Sequence, residues 1–171
     1  MKKLFALMLA LCLLGSVAMA DNTLVWEGEV ETVASQFGGE FVTMKEIAVK
    51  LWIPAGYEAV ELSDEDKEAG YIAYFEGADG AFAVMYVNMD GMSLDEYKAE
   101  LEGTDGVTDV EPGTVNGLPC LGYKCTANDS TNGVLAFTTA MGYILEISYG
   151  PVTEELPAQV GCAFASIQAA E

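Results

Sequence analysis

The stretch Asn116–Tyr149, NGLPCLGYKCTANDSTNGVLAFTTAMGYILEISY, decides the fold. Asn116-Gly117 is a tight-turn signal, and a strand-like run from Leu118 to Ala127 follows it. Asn128–Gly133 reads as a loop of turn formers. A second run, Val134 to Ala140, reaches a short turn at Met141-Gly142, and a third, Tyr143 to Tyr149, stops at Gly150-Pro151. Apolar, aromatic and β-branched runs separated by turn residues predict an antiparallel meander. The segment Thr153–Ala169 carries Leu156, Val160, Ala163, Phe164 and Ile167 at helical spacing, with Cys162 on the flank. That stripe predicts a helix able to lie on the meander.

Working outward, Val30–Ser35 reads as a strand broken by Gly38-Gly39, and Phe41–Met44 and Ile47–Ile53 as the next strands. Pro54-Ala55-Gly56 turns the chain, and Tyr57–Leu62 resumes extended structure. Ser63–Gly70 has a serine cap, acids in its first turn and a glycine stop, which together predict a helical turn. Tyr71–Glu76 and Ala81–Asn88 flank Ala78-Asp79-Gly80 as a hairpin. Both alternating sets of the second arm are apolar, Phe82, Val84, Tyr86 and Ala83, Met85, Val87. A strand apolar on both sides is expected to be covered on both sides. Ser93-Leu94-Asp95-Glu96 is a capping box for a helix Leu94–Glu102 with Leu94, Tyr97 and Leu101 on one face, and Val107–Val115 is weakly strand-like. The expected fold class is α+β, an antiparallel sheet with helices packed on both faces.

The N-terminus begins Met1-Lys2-Lys3, runs apolar from Leu4 to Leu14 and reaches Ala18-Met19-Ala20. A basic start, a short apolar core and a small-x-small site describe a secretory signal peptide over residues 1–20. The apolar run is shorter than the roughly 20 residues a membrane span needs. Leu11 stands before Cys12, where a lipidation site wants a small residue. One domain, Asp21–Glu171, is expected on the far side of the membrane, secreted or on the extracytoplasmic side of a bacterial envelope. No membrane attachment is expected after cleavage.

Composition removes whole classes of function. The chain has 27 acids, seven lysines, no arginine and no histidine. Loss of Lys2 and Lys3 with the leader takes the formal charge from −20 to −22. Such a surface repels phosphate backbones, which excludes nucleic acid as a partner, and it repels anionic lipid. It suits a cation or a basic partner. Without histidine there is no Ser-His-Asp or Cys-His machinery. No C-x-x-C or H-E-x-x-H zinc pattern occurs, nor a phosphate-binding glycine loop. No catalytic residue is identified.

Asp64, Asp66 and Glu68 are the candidate metal ligands. Asp64-x-Asp66-x-Glu68 begins like a calcium loop, then departs from it at Ala69 and Phe75. The plainer reading is a solvated helix N-terminus. Of the aromatic residues Trp26, Trp52, Tyr57 and Tyr149, the pair Trp52 and Tyr57 is the candidate lining of a ligand groove. Cys120, Cys125 and Cys162 remain after cleavage, an odd number that makes no disulfide framework. If Leu118–Ala127 is one extended strand, Cys120 and Cys125 lie too far apart to bridge, whereas a hairpin at Gly122 would bring them together, so one bridge with one thiol and three reduced thiols both stay open.

Ile53-Pro54-Ala55-Gly56-Tyr57, Ser93-Leu94-Asp95-Glu96-Tyr97, Val115-Asn116-Gly117-Leu118-Pro119, Gly142-Tyr143-Ile144-Leu145-Glu146-Ile147 and Ser166-Ile167 occur in this order. Together they resemble the PsbP-like domain over roughly residues 41–168. That family includes the extrinsic PsbP subunit of photosystem II, a Ran-binding import factor and many exported bacterial proteins. The resemblance implies a sheet sandwiched by helices and proteins that act by binding. It transfers no functional residue, because these motifs are turns and caps. The basic docking surfaces of some plant members have no counterpart here. The reading is an exported, non-enzymatic binding module for an unknown protein or small ligand, with no cofactor. The alternatives are a secreted calcium-binding domain or an enzyme using carboxylates or a thiol.

Overall fold

The computed structural model describes residues 23–87, 91–139, 142–152 and 156–170. The leader expected over residues 1–20 lies outside them. The fold is α+β, with two sheets. Among the described residues the larger has eight strands, in the order β1 (Thr23–Leu24), β7 (Val107–Val115), β8 (Leu118–Ala127), β9 (Ser130–Thr138), β10 (Ile144–Gly150), β6 (Gly80–Val87), β5 (Tyr71–Gly77) and β4 (Glu58–Ala59).

Its centre is the expected meander: β8 (Leu118–Ala127), β9 (Ser130–Thr138) and β10 (Ile144–Gly150). β7 (Val107–Val115) enters it through Asn116-Gly117, where φ values of 48° and 80° suit a two-residue hairpin turn. The predicted loop Asn128–Gly133 is much shorter than its composition implies. Asn128 and Asp129, with φ of 50° and 63°, make the whole turn, and Ala127 already pairs with Ser130. Turn-forming residues from Ser130 to Gly133 are drawn into the ladder by pairing with β8. β10 then pairs with β6 (Gly80–Val87), and β6 with β5 (Tyr71–Gly77). The outer strands are two-residue pieces, β4 (Glu58–Ala59) beside β5 and β1 (Thr23–Leu24) beside β7. β1 runs parallel to β7; every other pair is antiparallel.

The strands expected at Phe41–Met44 and Ile47–Ile53 pair with each other instead of joining the large sheet. β2 (Gly39–Met44) and β3 (Val49–Pro54) form a hairpin, and β11 (Gln168–Ala169) pairs with the other side of β3. The order of this second sheet is β11-β3-β2.

The strand predicted at Val30–Ser35 is a helix, α1 (Glu31–Phe37), entered through a kinked turn at Trp26–Val30 in which Gly28 has φ 94°. Val30, Val33 and Ala34 are buried at helical spacing. Docking of that face outweighs the strand preference of Val30, Thr32 and Val33. Helix α2 (Asp64–Glu68) and helix α3 (Leu94–Glu102) both start with the predicted serine caps. The last helix is shorter than the stripe implied. α4 covers Ala158–Ala165; Pro157 caps its start and Ser166 its end, and Thr153–Glu155 lie outside the described residues. Cys162 is not on a flank: it is fully buried, as are Val160, Ala163 and Ala165. A helix apolar on all sides is one surrounded on all sides. Here α1, β3 and the turn at Trp26–Val30 enclose it.

Alternate residues of the central strands enter two different clusters. Leu135, Phe137, Leu145, Ile147 and Tyr149 join Phe82, Val84, α1, α4 and the small sheet. Leu121, Tyr123, Val134, Ala136 and Ile144 join Tyr97 and Leu101 of α3.

Candidate functional site

The β2–β3 hairpin ends where Pro54-Ala55-Gly56 reverses the chain. Ala55 N–H donates to the Gly38 carbonyl (3.1 Å), Tyr57 N–H donates to the Pro54 carbonyl (3.3 Å), and Gly56 adopts φ 94°. The turn carries the chain from the small sheet to the edge of the large one. There Glu58 pairs with Glu76 and Ala59 with Phe75. Between the two sheets lies a cleft of about 380 Å³. β2 contributes Glu40 and Val42, β3 contributes Ile53 and Pro54, and Tyr57 and Phe75 close the other wall. Ala59 stands exposed at its mouth.

Tyr57 is held from three directions. Its ring makes edge contacts with Phe82 (5.0 Å between centroids) and Tyr149 (6.2 Å). Its hydroxyl donates to the Tyr149 hydroxyl (3.1 Å), which donates to the Asp79 carbonyl (3.2 Å). The ring also covers Gly77, where a Cβ would lie only 2.7 Å from it. Burial raises the Tyr149 hydroxyl above the usual phenol range, and the bond from Tyr57 adds to this. Gly39, at φ 140°, does for Trp52 what Gly77 does for Tyr57: a Cβ there would come within 2.8 Å of the indole.

Of the aromatic residues proposed to line a groove, Tyr57 lines this cleft. Trp52 does not. It is buried on the other side of β3, with its ring 5.8 Å from that of Trp26. Trp26 and Tyr149 are likewise core residues. Glu40, Val42 and Phe75 were not named from sequence. Glu40 and Val42 lie on β2 and Phe75 on β5, more than thirty residues on, so no local pattern joins the two walls.

The acids Asp64, Asp66 and Glu68 sit on α2, away from the cleft lining. Asp66 accepts from both the backbone N–H (2.9 Å) and the hydroxyl (2.6 Å) of Ser63, and these bonds lower its carboxyl below the usual range. Lys67 Nζ lies 4.0 Å from Asp64. Among the described residues, no three histidine, cysteine, aspartate or glutamate side chains gather where they would hold a metal ion. Cys120, Cys125 and Cys162 are all free. Burial pushes the Cys120 and Cys162 thiols up to about 11, against reactivity at neutral pH.

One carboxylate is built into the second cluster. Glu146 of β10 accepts from the hydroxyls of Tyr97 on α3 and Tyr123 on β8. Burial foremost raises both phenols above their usual range, with Glu146 adding to it. Glu146 thereby ties α3 to the sheet.

No protein-family model and no curated protein sequence matches the chain. Solved structures do. The solution structure of cyanobacterial PsbP (CyanoP) from Synechocystis superposes with a TM-score of 0.54 at 12% identity, covering 78% of this chain and 93% of that one. A crystal structure from Bacteroides thetaiotaomicron gives a TM-score of 0.51 at 14% identity, covering 78% of this chain and 49% of that one. The fold is PsbP-like, as the turn and cap motifs implied.

Proposed function

We infer that residues Asp21–Glu171 form a single exported PsbP-like domain that acts as a non-enzymatic binding module, with the cleft at Tyr57 as its recognition site. The observation that carries this reading is the cleft. Its 380 Å³ falls within the roughly 300–1,000 Å³ of ligand-binding pockets. Val42, Ile53, Pro54 and Phe75 give it apolar walls, and Glu40 is its carboxylate. The Tyr57 hydroxyl is already bonded to Tyr149. These groups suit holding a partner better than transforming one. The two clusters, one with α1 and α4 and the other with α3, support a sandwich with helices on both faces of the large sheet. Export rests on the leader sequence. In keeping with it, no helix among the described residues is long and apolar enough to cross a membrane.

Ala59→Trp tests the reading. Ala59 is exposed, so folding stability should change by less than about 0.5 kcal/mol, while the indole occupies the cleft. Affinity capture from the native exported fraction should recover a partner with the unaltered chain and lose it with the variant. Equal capture by both would move the binding site elsewhere.

A further inference from the structure

The cleft lies under one face of β2, and β2 is an outer strand. No described strand pairs with its free side. The edge is six residues long, Gly39–Met44, against two for β4 across the cleft. Glu40, Phe41 and Thr43 on it are exposed. An outer strand presents alternate backbone N–H and C=O groups to whatever approaches. We propose that β2 receives an extended, lysine- or arginine-bearing peptide segment of another protein as an added strand. This inference rests on the cleft reading above and names the partner chemistry of that site.

The geometry sets the pattern such a segment must have. Side chains alternate across a pleated strand. Glu40 and Val42 both fall on the cleft side of β2, so every second side chain of an added strand would enter the cleft with them. Glu40 there asks for lysine or arginine at those positions, whose alkyl stems lie along Ile53 and Phe75, while the aliphatic residues of the alternating pattern take the opposite face with exposed Phe41.

Charge selects the sign of the partner. Glu40 lines the cleft, and exposed Glu58 and Glu76 adjoin the lining residues Tyr57 and Phe75. No lysine is among the lining residues. A second copy of the chain is a poor occupant, because each copy carries a formal charge of −20. A basic strand gains from the same field, and strand addition combines backbone bonding for affinity with side-chain pockets for specificity.

The probe is a synthetic peptide of alternating valine and lysine, titrated into the isotope-labelled chain at physiological ionic strength. Two controls accompany it: a valine–glutamate peptide of the same pattern, and a peptide with the same valines and lysines in separate blocks. The proposal expects saturable shifts of the Glu40–Met44 amides and protection of alternate ones from exchange. Affinity should be at least about tenfold weaker for either control, a loss of roughly 1.4 kcal/mol. Glu40→Lys should weaken the valine–lysine peptide by several-fold and leave the fold intact. Equal binding of the blocked peptide would reduce the effect to bulk charge and overturn the proposal. So would shifts that avoid β2, or concentration-dependent self-association through that strand. Failure here is separable from failure of the cleft reading. If Ala59→Trp abolishes partner capture but the peptide never touches β2, the cleft stands and strand addition falls. If the peptide binds β2 while capture survives Ala59→Trp, the edge stands and the cleft falls.

Discussion

Phe164→Ala removes the ring that α4 buries between itself and the large sheet. Phe164 is 2% exposed, and its ring centroid lies 6.4 Å from that of Phe82, which has no exposure at all. Truncating a buried phenylalanine typically costs about 3–5 kcal/mol, the spread reflecting how far the site collapses. Collapse is limited here. α4 is bounded by α1 and β3, and its next residues pair with β3 as β11, so the helix cannot slide into the void. Loss of the edge contact with Phe82 adds to the transfer term. The upper half of the range, about 4 kcal/mol, is therefore expected. That is a large share of the roughly 5–15 kcal/mol that holds a domain together. At about 2–4 °C per kcal/mol for a chain of this size, the midpoint should fall by about 10 °C. Urea melts read it directly, with the midpoint lowered and the slope unchanged. Phe37→Ala is the control: Phe37 is 39% exposed and should cost less than about 1 kcal/mol. A loss below about 1 kcal/mol for Phe164→Ala would mean that α4 does not dock on the sheet.

Three further outcomes follow from other parts of the molecule. Tyr97→Phe should cost about 1.5–3 kcal/mol, the range for a hydrogen bond to a charged group, and should speed amide exchange in α3; no change in either would separate Glu146 from the docking of that helix. Burial raises the thiols of Cys120 and Cys162 from 9.0, and the hydroxyls of Tyr97, Tyr123 and Tyr149 from 10.0, so the unfolded chain ionises first. The stability these groups contribute is complete below pH 9 and is lost as pH rises above it; a melting temperature constant up to pH 11 would contradict their burial. Ca²⁺ and Mg²⁺ at equal ionic strength should raise the melting temperature alike by screening, because the Asp66 carboxylate already serves the Ser63 cap; a saturable, calcium-selective rise abolished by Asp66→Asn would instead make α2 a metal site.

Local signals in the sequence translated well. The Asn116-Gly117 turn and the serine caps at Ser63 and Ser93 involve neighbours within a few residues, and each stands where its residues placed it. What escaped depends on the surroundings. Val30–Ser35 carries β-branched residues that favour a strand, yet the spacing of Val30, Val33 and Ala34 is helical, and packing chose between them. Cys162 lies off the apolar stripe of α4, but a helix enclosed all round has no outer flank. Trp52 and Tyr57 were equally plausible cleft residues. They part because Trp52 faces the side of β3 opposite Ile53 and turns toward Trp26, whereas the Pro54-Ala55-Gly56 turn delivers Tyr57 to the edge of the other sheet.

The same physics links the acidic surface to the open edge. A six-residue outer strand with Gly39 to Phe41 and Thr43 exposed, Phe41 at 40%, is a template for self-pairing. Lysine on such an edge is the common protection, and β2 itself holds none: Lys45 follows its last residue and Lys50 stands opposite Thr43 on β3. The −20 field supplies the protection another way, since two copies approaching edge to edge must first overcome mutual repulsion. Protection by net charge differs from protection by a covering helix or a proline. It blocks copies of the same chain and acidic strangers, but it leaves the backbone groups of Gly39–Met44 open to a segment of opposite sign. Raising the salt concentration should therefore act in two directions at once: it weakens capture of a basic peptide and lowers the barrier to self-association. A chain that stayed monomeric at high salt while losing the peptide would place its protection in the twist of β2 and not in its charge.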